Sequence, residues 1–443
     1  MKKVLIITYY WPPSGGAGVQ RWVKFVKYLP EFGWEPIVYT PQNPEVPVTD
    51  STLSNDISPD LKVIKTPIWE PYRLYKRFLG MKNEEKVNSA FISERKKPPL
   101  KEKISIWIRS NFFIPDARKF WIKPSVRFLR KYLAENPVDL IITTGPPHSL
   151  HMIGWHLKAK MNIPWMADFR DPWTGIDYYQ YLYLTYFADR KHKLLEKKIL
   201  INADRVIATG HIRAKDFEHI SGREIDVITN GYDDDDFEGL TEAQDKNFSI
   251  VHIGAINKAR IHPQFWQAIH ELINENDAFK KDLKLHLIGK LDYSVNEIIN
   301  KYQLHQHVLK TEYLPHARVP GILRTAQVLY LPVNIMPEPE SFIPGKLFEY
   351  LAANRPILGT GPVNGDTASI LRETGSGIMH DYADKDGIKS DLLSFYEKFK
   401  KGNVGGKENT DILKYSRRNL TKNLSQMMNM TVKSNGIRNN MSN

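Results

Sequence analysis

Lys346 and Glu349 stand one helical turn apart in the stretch ESFIPGKLFEYLAANRPIL, residues 340–358. Ser341 and Pro344 precede them as a polar residue and a first-turn proline, and Lys346 to Ala353 has the apolar spacing of a helix. A helix start made of Gly345, Lys346 and Leu347 offers free amides, the positive end of a dipole and an ammonium group, which together suit a diphosphate. The Glu349 carboxylate, projecting from a neighbouring face, can accept hydrogen bonds from a ribose diol. The same spacing equally suits a capped amphipathic helix with an ordinary Lys and Glu. A second group stands at the other end of the chain. Gly15-Gly16-Ala17-Gly18 follows the apolar run Val4 to Ile7, where bare backbone can approach a phosphate. Arg21 occupies the place of the third glycine in a G-x-G-x-x-G fingerprint, and the next strand, 36–40, ends in Pro41 with no acid. A nicotinamide site is therefore disfavoured.

Strands at 3–9, 36–40, 62–66, 139–143, 164–168 and 204–208 alternate with helix-length segments at 18–30, 119–135, 149–160 and 183–201. That alternation implies parallel βαβ units with right-handed crossovers. A further helix at 210–225 and a strand at 226–228 follow. The pattern restarts at Phe248, with strands at 248–253, 284–288, 308–310, 328–331 and 356–358 between helices. The expected organisation is an α/β chain of two doubly wound, Rossmann-like domains, 1–225 and 248–410, facing across a cleft. A linker at 226–247, a C-terminal helix at 411–430 returning toward the first domain and a flexible tail at 431–443 complete it. Ligands bind beyond the carboxyl ends of such strands, so the glycine loop is expected to line the cleft.

The chain has 443 residues and no Cys, which excludes disulfides, thiol catalysis and Cys-based zinc sites. Its apolar runs are too short to span a bilayer, and its start carries no secretion-signal pattern, so a cytoplasmic protein is expected. The net charge of +12 is concentrated in residues 71–130, which hold 16 Lys and Arg against 5 Asp and Glu. Tyr72, Tyr75, Phe78, Trp107, Phe112, Phe113, Phe120 and Trp121 are interleaved with these cations. Such a mixture fits an anionic membrane surface, nucleic acid, or a solvated basic face. Asp233 to Asp236 and the Asp381–Gly387 stretch do not have the geometry of a metal site; in the latter, position 12 is Leu392 where a calcium loop needs Glu.

The blocks TTGPPHS (143–149), WMADFRDPW (165–173), NGYDDDDF (230–237), HIGAINKAR (252–260) and PGKLFEYLAANRPIL (344–358) occur in order. Together with the first strand and glycine loop, they resemble the family 4 glycosyltransferases of GT-B architecture along nearly the whole chain. The resemblance implies a retaining, metal-independent enzyme that moves a sugar from a nucleotide-diphosphate sugar. It implies that Glu349 is the second Glu of the E-x7-E signature and holds the donor ribose. The first Glu falls at 341, where this chain has Ser, with Glu338 and Glu340 beside it. Relatives carry Gly-Arg and then Lys after the first strand of the second domain. Here Gly254 is followed by Ala255, and Arg260 takes the Lys position, so Arg260 and Lys346 are left to hold the diphosphate, with Lys258 a third cation. Gly15 and Gly16 would sit under the sugar–phosphate linkage. Arg170 and Asp171 occupy the place of a cleft residue facing the anomeric carbon, and Asp168 and His148 are further cleft or acceptor candidates. The implied acceptor is a glycan, lipid-linked or a surface-polysaccharide precursor, met by a first domain in peripheral contact with the inner face of an anionic membrane. No nucleic acid is expected. A GT-B sugar-nucleotide epimerase, or a non-catalytic basic membrane- or nucleic-acid-binding protein, are the alternatives.

Overall fold

The computed structural model describes residues 1–45, 49–50, 52–71, 100–240, 243–312, 314–402 and 410–442. Much of the basic stretch, with Tyr72, Tyr75, Phe78, Lys96 and Lys97, lies outside the described residues. The chain divides into two compact units, one of residues 1–229 with 420–443 and one of residues 230–419.

Each unit is built on a parallel sheet. In the first, β1 (Lys2–Ile7), β2 (Trp34–Pro41), β3 (Lys62–Thr66), β4 (Leu140–Gly145), β5 (Trp165–Phe169), β6 (Arg205–Ala208) and β7 (Asp226–Val227) lie in the order β3-β2-β1-β4-β5-β6-β7. Runs such as VLII and LIIT are apolar throughout because helices cover both faces of a parallel sheet. Val4 and Ile6 enter the layer beneath the helix Ala17–Tyr28. Leu5 and Ile7 enter the opposite layer with Leu129, Leu150 and Ile153 from the helices Lys119–Glu135 and Ser149–Met161. Strand order reverses between β1 and β4, which opens the crevice where such sheets bind ligands.

The second sheet has the same logic. β8 (Phe248–Ile253), β9 (Leu283–Ile288), β10 (Val308–Thr311), β11 (Val328–Pro332), β12 (Ile357–Thr360) and β13 (Gly377–His380) take the order β10-β9-β8-β11-β12-β13. Its reversal lies between β8 and β11. The edge strand β13 and the helix Lys385–Lys400 that follows it are additions to the sequence reading.

Two boundaries and one side chain differ from expectation. Asp226–Val227 pairs with β6, and Tyr232 and Phe237 join the core of the second unit beside Leu347 and Phe348, so residues 226–237 of the expected linker pack into the units on either side of it. The C-terminal helix runs Arg417–Ser442, beyond the turn Thr410–Tyr415, so helix occupies most of the expected tail. Leu420, Leu424 and Met428, spaced i, i+4, i+8, bury one stripe of it against Val4, Ile6, Trp22 and Leu140 of the first unit. Trp121 is not a surface aromatic: it is 1% exposed, stacks on Tyr39 at 4.9 Å, and donates to Thr66 Oγ1 at 3.1 Å.

Candidate active site

In the second unit, β8 leads into Gly254 at φ +127°, a conformation that favours glycine. A Cβ built there would lie 2.0 Å from Lys346 Cε and 2.1 Å from Nζ, so the missing side chain is what lets Lys346 lie across the strand end. Gly289 (φ +124°), after β9, packs against the Gly254 backbone, where a Cβ would come within 2.7 Å. Arg260 closes the turn Lys258–Arg260; its Nε donates to Asn334 Oδ1 at 2.5 Å and its Nη1 to the Ala255 carbonyl at 2.8 Å. Burial lowers the pKa of both cations, and Arg260 lowers that of Lys346 further, while Glu349 acts to raise it. Two crowded cations with one half-buried carboxylate form a site that an anion stabilises.

Other members of the predicted set play different parts. Leu347 is buried in the core, and its amide donates to the Pro344 carbonyl at 3.0 Å, so it packs the helix Lys346–Ala353 instead of offering a free amide. Gly345 caps that helix with ordinary helical φ and open space around its Cα, so neither backbone nor contact demands glycine. Ser341 ends a short turn in which its Oγ donates to the Glu338 carbonyl at 3.1 Å. Lys258 is exposed. Sequence reasoning gave His252 no role. Its Nδ1 meets the Tyr330 carbonyl at 3.0 Å, and burial, aided by Lys346 and Arg260, pushes its pKa down to about 3. It is therefore a neutral donor to Tyr330, and its Nε2 has no hydrogen-bond partner among the described residues. Its place at the start of HIGAINKAR was the available signal.

Glu349→Gln tests the ribose assignment, because it keeps the shape of the acceptor and removes its charge. Nucleotide affinity should fall by about 1.5–3 kcal/mol in calorimetry with the melting temperature unchanged. Wild-type affinity would remove Glu349 from the site.

In the first unit, Gly16 (φ +107°) caps the helix Ala17–Tyr28, directly after Gly15. Gly18 is the closer constraint. A Cβ on it would fall 1.6 Å from Arg170 Nη1, so the guanidinium lies across the helix backbone. Arg170 Nη2 donates to the Pro146 carbonyl at 2.5 Å and Nε to that of Gly145 at 3.3 Å. Its polar edge is thus occupied by the chain after β4, and it positions the glycine loop; this changes the catalytic role expected of it. Asp171 follows with a carboxyl that surrounding atoms push upward in pKa, while Arg170 opposes them. The side chain still reaches solvent, so that push is weaker than for a sealed group.

Asp168 is corrected more sharply. It is fully buried and accepts from Arg21 Nη2 at 2.9 Å, Trp22 Nε1 at 2.7 Å and Thr144 Oγ1 at 2.9 Å. Arg21 also donates to the carbonyls of Ile228 and Thr229 at 2.9 and 2.7 Å. The pair ties the first helix to β5 and the end of β7 and presents nothing to a ligand. His148 stacks face to face on Trp173 at 5.0 Å, and burial, with His151 and Arg170, holds its pKa well below the usual imidazole value. The pair borders a pocket of about 190 Å³ at the reversal between β1 and β4, also lined by Tyr10, Arg109, Phe113 and Tyr178. Aromatic walls with a guanidinium at a strand-end crevice suit a ringed, polar ligand.

Two parallel α/β units, each with its ligand crevice at a strand-order reversal, define the GT-B class. The family model described as Glycosyltransferase Family 4 matches residues 83–236, and that described as Glycosyl transferases group 1 matches residues 247–398. The chain belongs to the family 4 glycosyltransferases. No curated protein matches it in sequence. Among solved structures, it is similar to a glycosyltransferase from Rickettsia africae, with 13% identity and a TM-score of 0.61 over 98% of this chain and 99% of that one. HepE from Anabaena, solved with UDP, superposes with a TM-score of 0.56 at 11% identity over the whole of both chains. WaaG, a glycosyltransferase involved in lipopolysaccharide biosynthesis, does so with a TM-score of 0.51 at 12% identity over 98% and 99%. At these identities the likeness is one of fold.

Proposed function

We propose that this glycosyltransferase takes its sugar from a nucleoside diphosphate carrier with retention of configuration and without a divalent metal. The observation that carries the reading is Lys346 lying across Gly254 beside Arg260. These cations face the charge that grows on a diphosphate as the sugar–oxygen bond breaks, so the protein itself supplies the electrostatic stabilisation. Glu349 holds the ribose, and His252, neutral and buried, packs behind the same strand end. Asp171 remains the candidate to orient the acceptor hydroxyl in the first unit. The test is nucleotide release from a panel of sugar nucleotides with lipid-linked and free glycans, in the presence of EDTA, followed by the anomeric configuration of the product. Loss of release in EDTA removes the metal-free reading, and an inverted product removes retention. Interconversion of the sugar nucleotide without acceptor would identify an epimerase instead.

We also propose that the acceptor is carried on lipid and met at a membrane surface. In the helix Leu100–Phe112, Leu100, Ile104, Trp107, Ile108 and Phe112 are all exposed at spacings of i, i+4, i+7, i+8 and i+12, while Ser105, Ile106 and Ser110 are buried. Exposed Tyr186 and Phe187 follow Thr185, which Asn111 of that helix binds at 2.7 and 2.8 Å. A solvent-facing apolar stripe flanked by Lys103 is the pattern of an interfacial helix. Its other side contributes Ile106, Arg109 and Ser110 to the pocket at the β1/β4 reversal, which supports a glycan headgroup delivered there from lipid. No described helix is long and apolar enough to cross a membrane. Changing Trp107 and Ile108 to Ser should cut flotation with anionic liposomes by about tenfold or more. Equal flotation of variant and wild type would remove the helix from the contact.

A further inference from the structure

On the first unit, the helices Lys119–Glu135 and Ser149–Met161 border a groove of about 840 Å³. Lys123, Arg127, Arg130, Lys131 and Lys160 line it, with His156 among them. Among the described residues, none of the five cations makes an ion pair or side-chain hydrogen bond. The sole acid on either helix is Glu135, one turn past Lys131 and outside the lining. Burial first, then Lys160 and Lys198, lower the pKa of His156, so the imidazole adds no charge of its own near neutrality. All five are exposed, and like charges gathered along one groove repel one another, a repulsion that a bound anion relieves.

The arrangement has direction. Lys123, Arg127 and Lys131 are spaced i, i+4, i+8, which sets them in a row that rises about 6 Å per step. Lys160 stands on the facing helix, and the apolar side chains of Ile122, Val126 and Met161 complete the lining. The groove is also separate from the site described above. His148, at the pocket end of the second helix, precedes Lys160 by twelve residues, or about 18 Å of helix.

We infer that this groove binds an extended anionic glycan, a chain whose sugars carry carboxylate or phosphate groups. A row of cations matches charges repeated along a polymer, and the aliphatic lining accepts the apolar faces of sugar rings. A flat bilayer cannot follow a concave groove. A single-stranded nucleic acid would call for aromatic platforms, and no aromatic side chain other than the imidazole of His156 lines this one. The inference rests on the glycan-transferring reading above and deepens it: the groove holds a remote part of the acceptor or product chain while its end is at the site.

The experiment uses the intact protein and fluorescence anisotropy at low salt. The probes are labelled oligogalacturonate, a neutral dextran oligomer of equal length and oligo-dT, with flotation on phosphatidylglycerol vesicles as a fourth arm. Oligogalacturonate should bind most tightly, lose affinity as salt is raised and gain affinity with chain length. Arg127→Glu combined with Lys131→Glu should weaken it by thirtyfold or more at an unchanged melting temperature, while Arg127→Lys combined with Lys131→Arg should retain it. Tighter binding of oligo-dT, unchanged oligogalacturonate affinity in the charge-reversed variant, or binding to vesicles alone would overturn the inference. Nucleotide-sugar turnover is measured in parallel on the same samples. Turnover without oligogalacturonate binding rejects the groove alone, and binding without turnover rejects the transferase reading on which it rests.

Discussion

Asp168→Ala should lower the unfolding free energy of the first unit by about 3–5 kcal/mol, the range found when one partner of a buried ion pair is removed. The carboxylate is sealed from water, and three side chains donate to it. Its loss strands the Arg21 guanidinium, which is itself 1% exposed, against carbonyls that supply only partial negative charge. It also orphans the Trp22 indole N–H, at the further cost of an unmet buried donor. Replacing both members by apolar residues of similar volume, Arg21→Met with Asp168→Leu, should recover much of the loss, because no charge is then left buried. Urea melts of the two variants beside the wild type check this. A loss below about 1 kcal/mol in Asp168→Ala would show that water or a shifted neighbour compensates Arg21.

The second large effect is catalytic. Lys346→Ala and Arg260→Ala should each lower kcat/KM by about 2–4 kcal/mol, or roughly 30- to 1,000-fold. Lys346 is positioned by the missing side chain of Gly254, and Arg260 by Asn334 and the Ala255 carbonyl. Both geometries exist before substrate arrives, so little reorganisation is needed as charge develops. Both cations are crowded in the resting protein, so their removal relieves repulsion and should leave the melting temperature level or slightly higher. The double variant should fall short of the sum of the single losses, since the two residues act on one developing charge. Near-normal rates in both single variants would overturn the diphosphate assignment.

What could be read from sequence followed its physical strength. The central strands were visible because a parallel sheet buried on both faces demands unbroken apolar runs. β13 escaped notice because it is a four-residue edge strand, only partly buried and opened by glycine. In the candidate site, the Lys346/Glu349 spacing was legible, whereas the intimate contact of Lys346 with Gly254 was not, since the two are separated by most of a domain. Asp168 was misread for a local reason. Its motif runs on into Arg170 and Asp171, but side chains along β5 alternate, with Met166 and Asp168 toward the first helix and Ala167 and Phe169 toward the opposite layer. Arg21 looked like a lost glycine of a nucleotide fingerprint, although it is the buried counter-ion of Asp168.

The returning C-terminal helix has a consequence for how the molecule is made. Leu420, Leu424 and Met428 complete a core begun by Val4 and Ile6, so the second unit is threaded into the first as an insert. A ribosome delivers this stripe only after the first sheet and the whole second unit. Until then, Trp22 and its neighbours lack part of their cover while the whole second unit is synthesised and folds. The nascent first unit thus waits with an exposed apolar seam, which makes translation speed and chaperone capture, as much as final stability, determinants of yield.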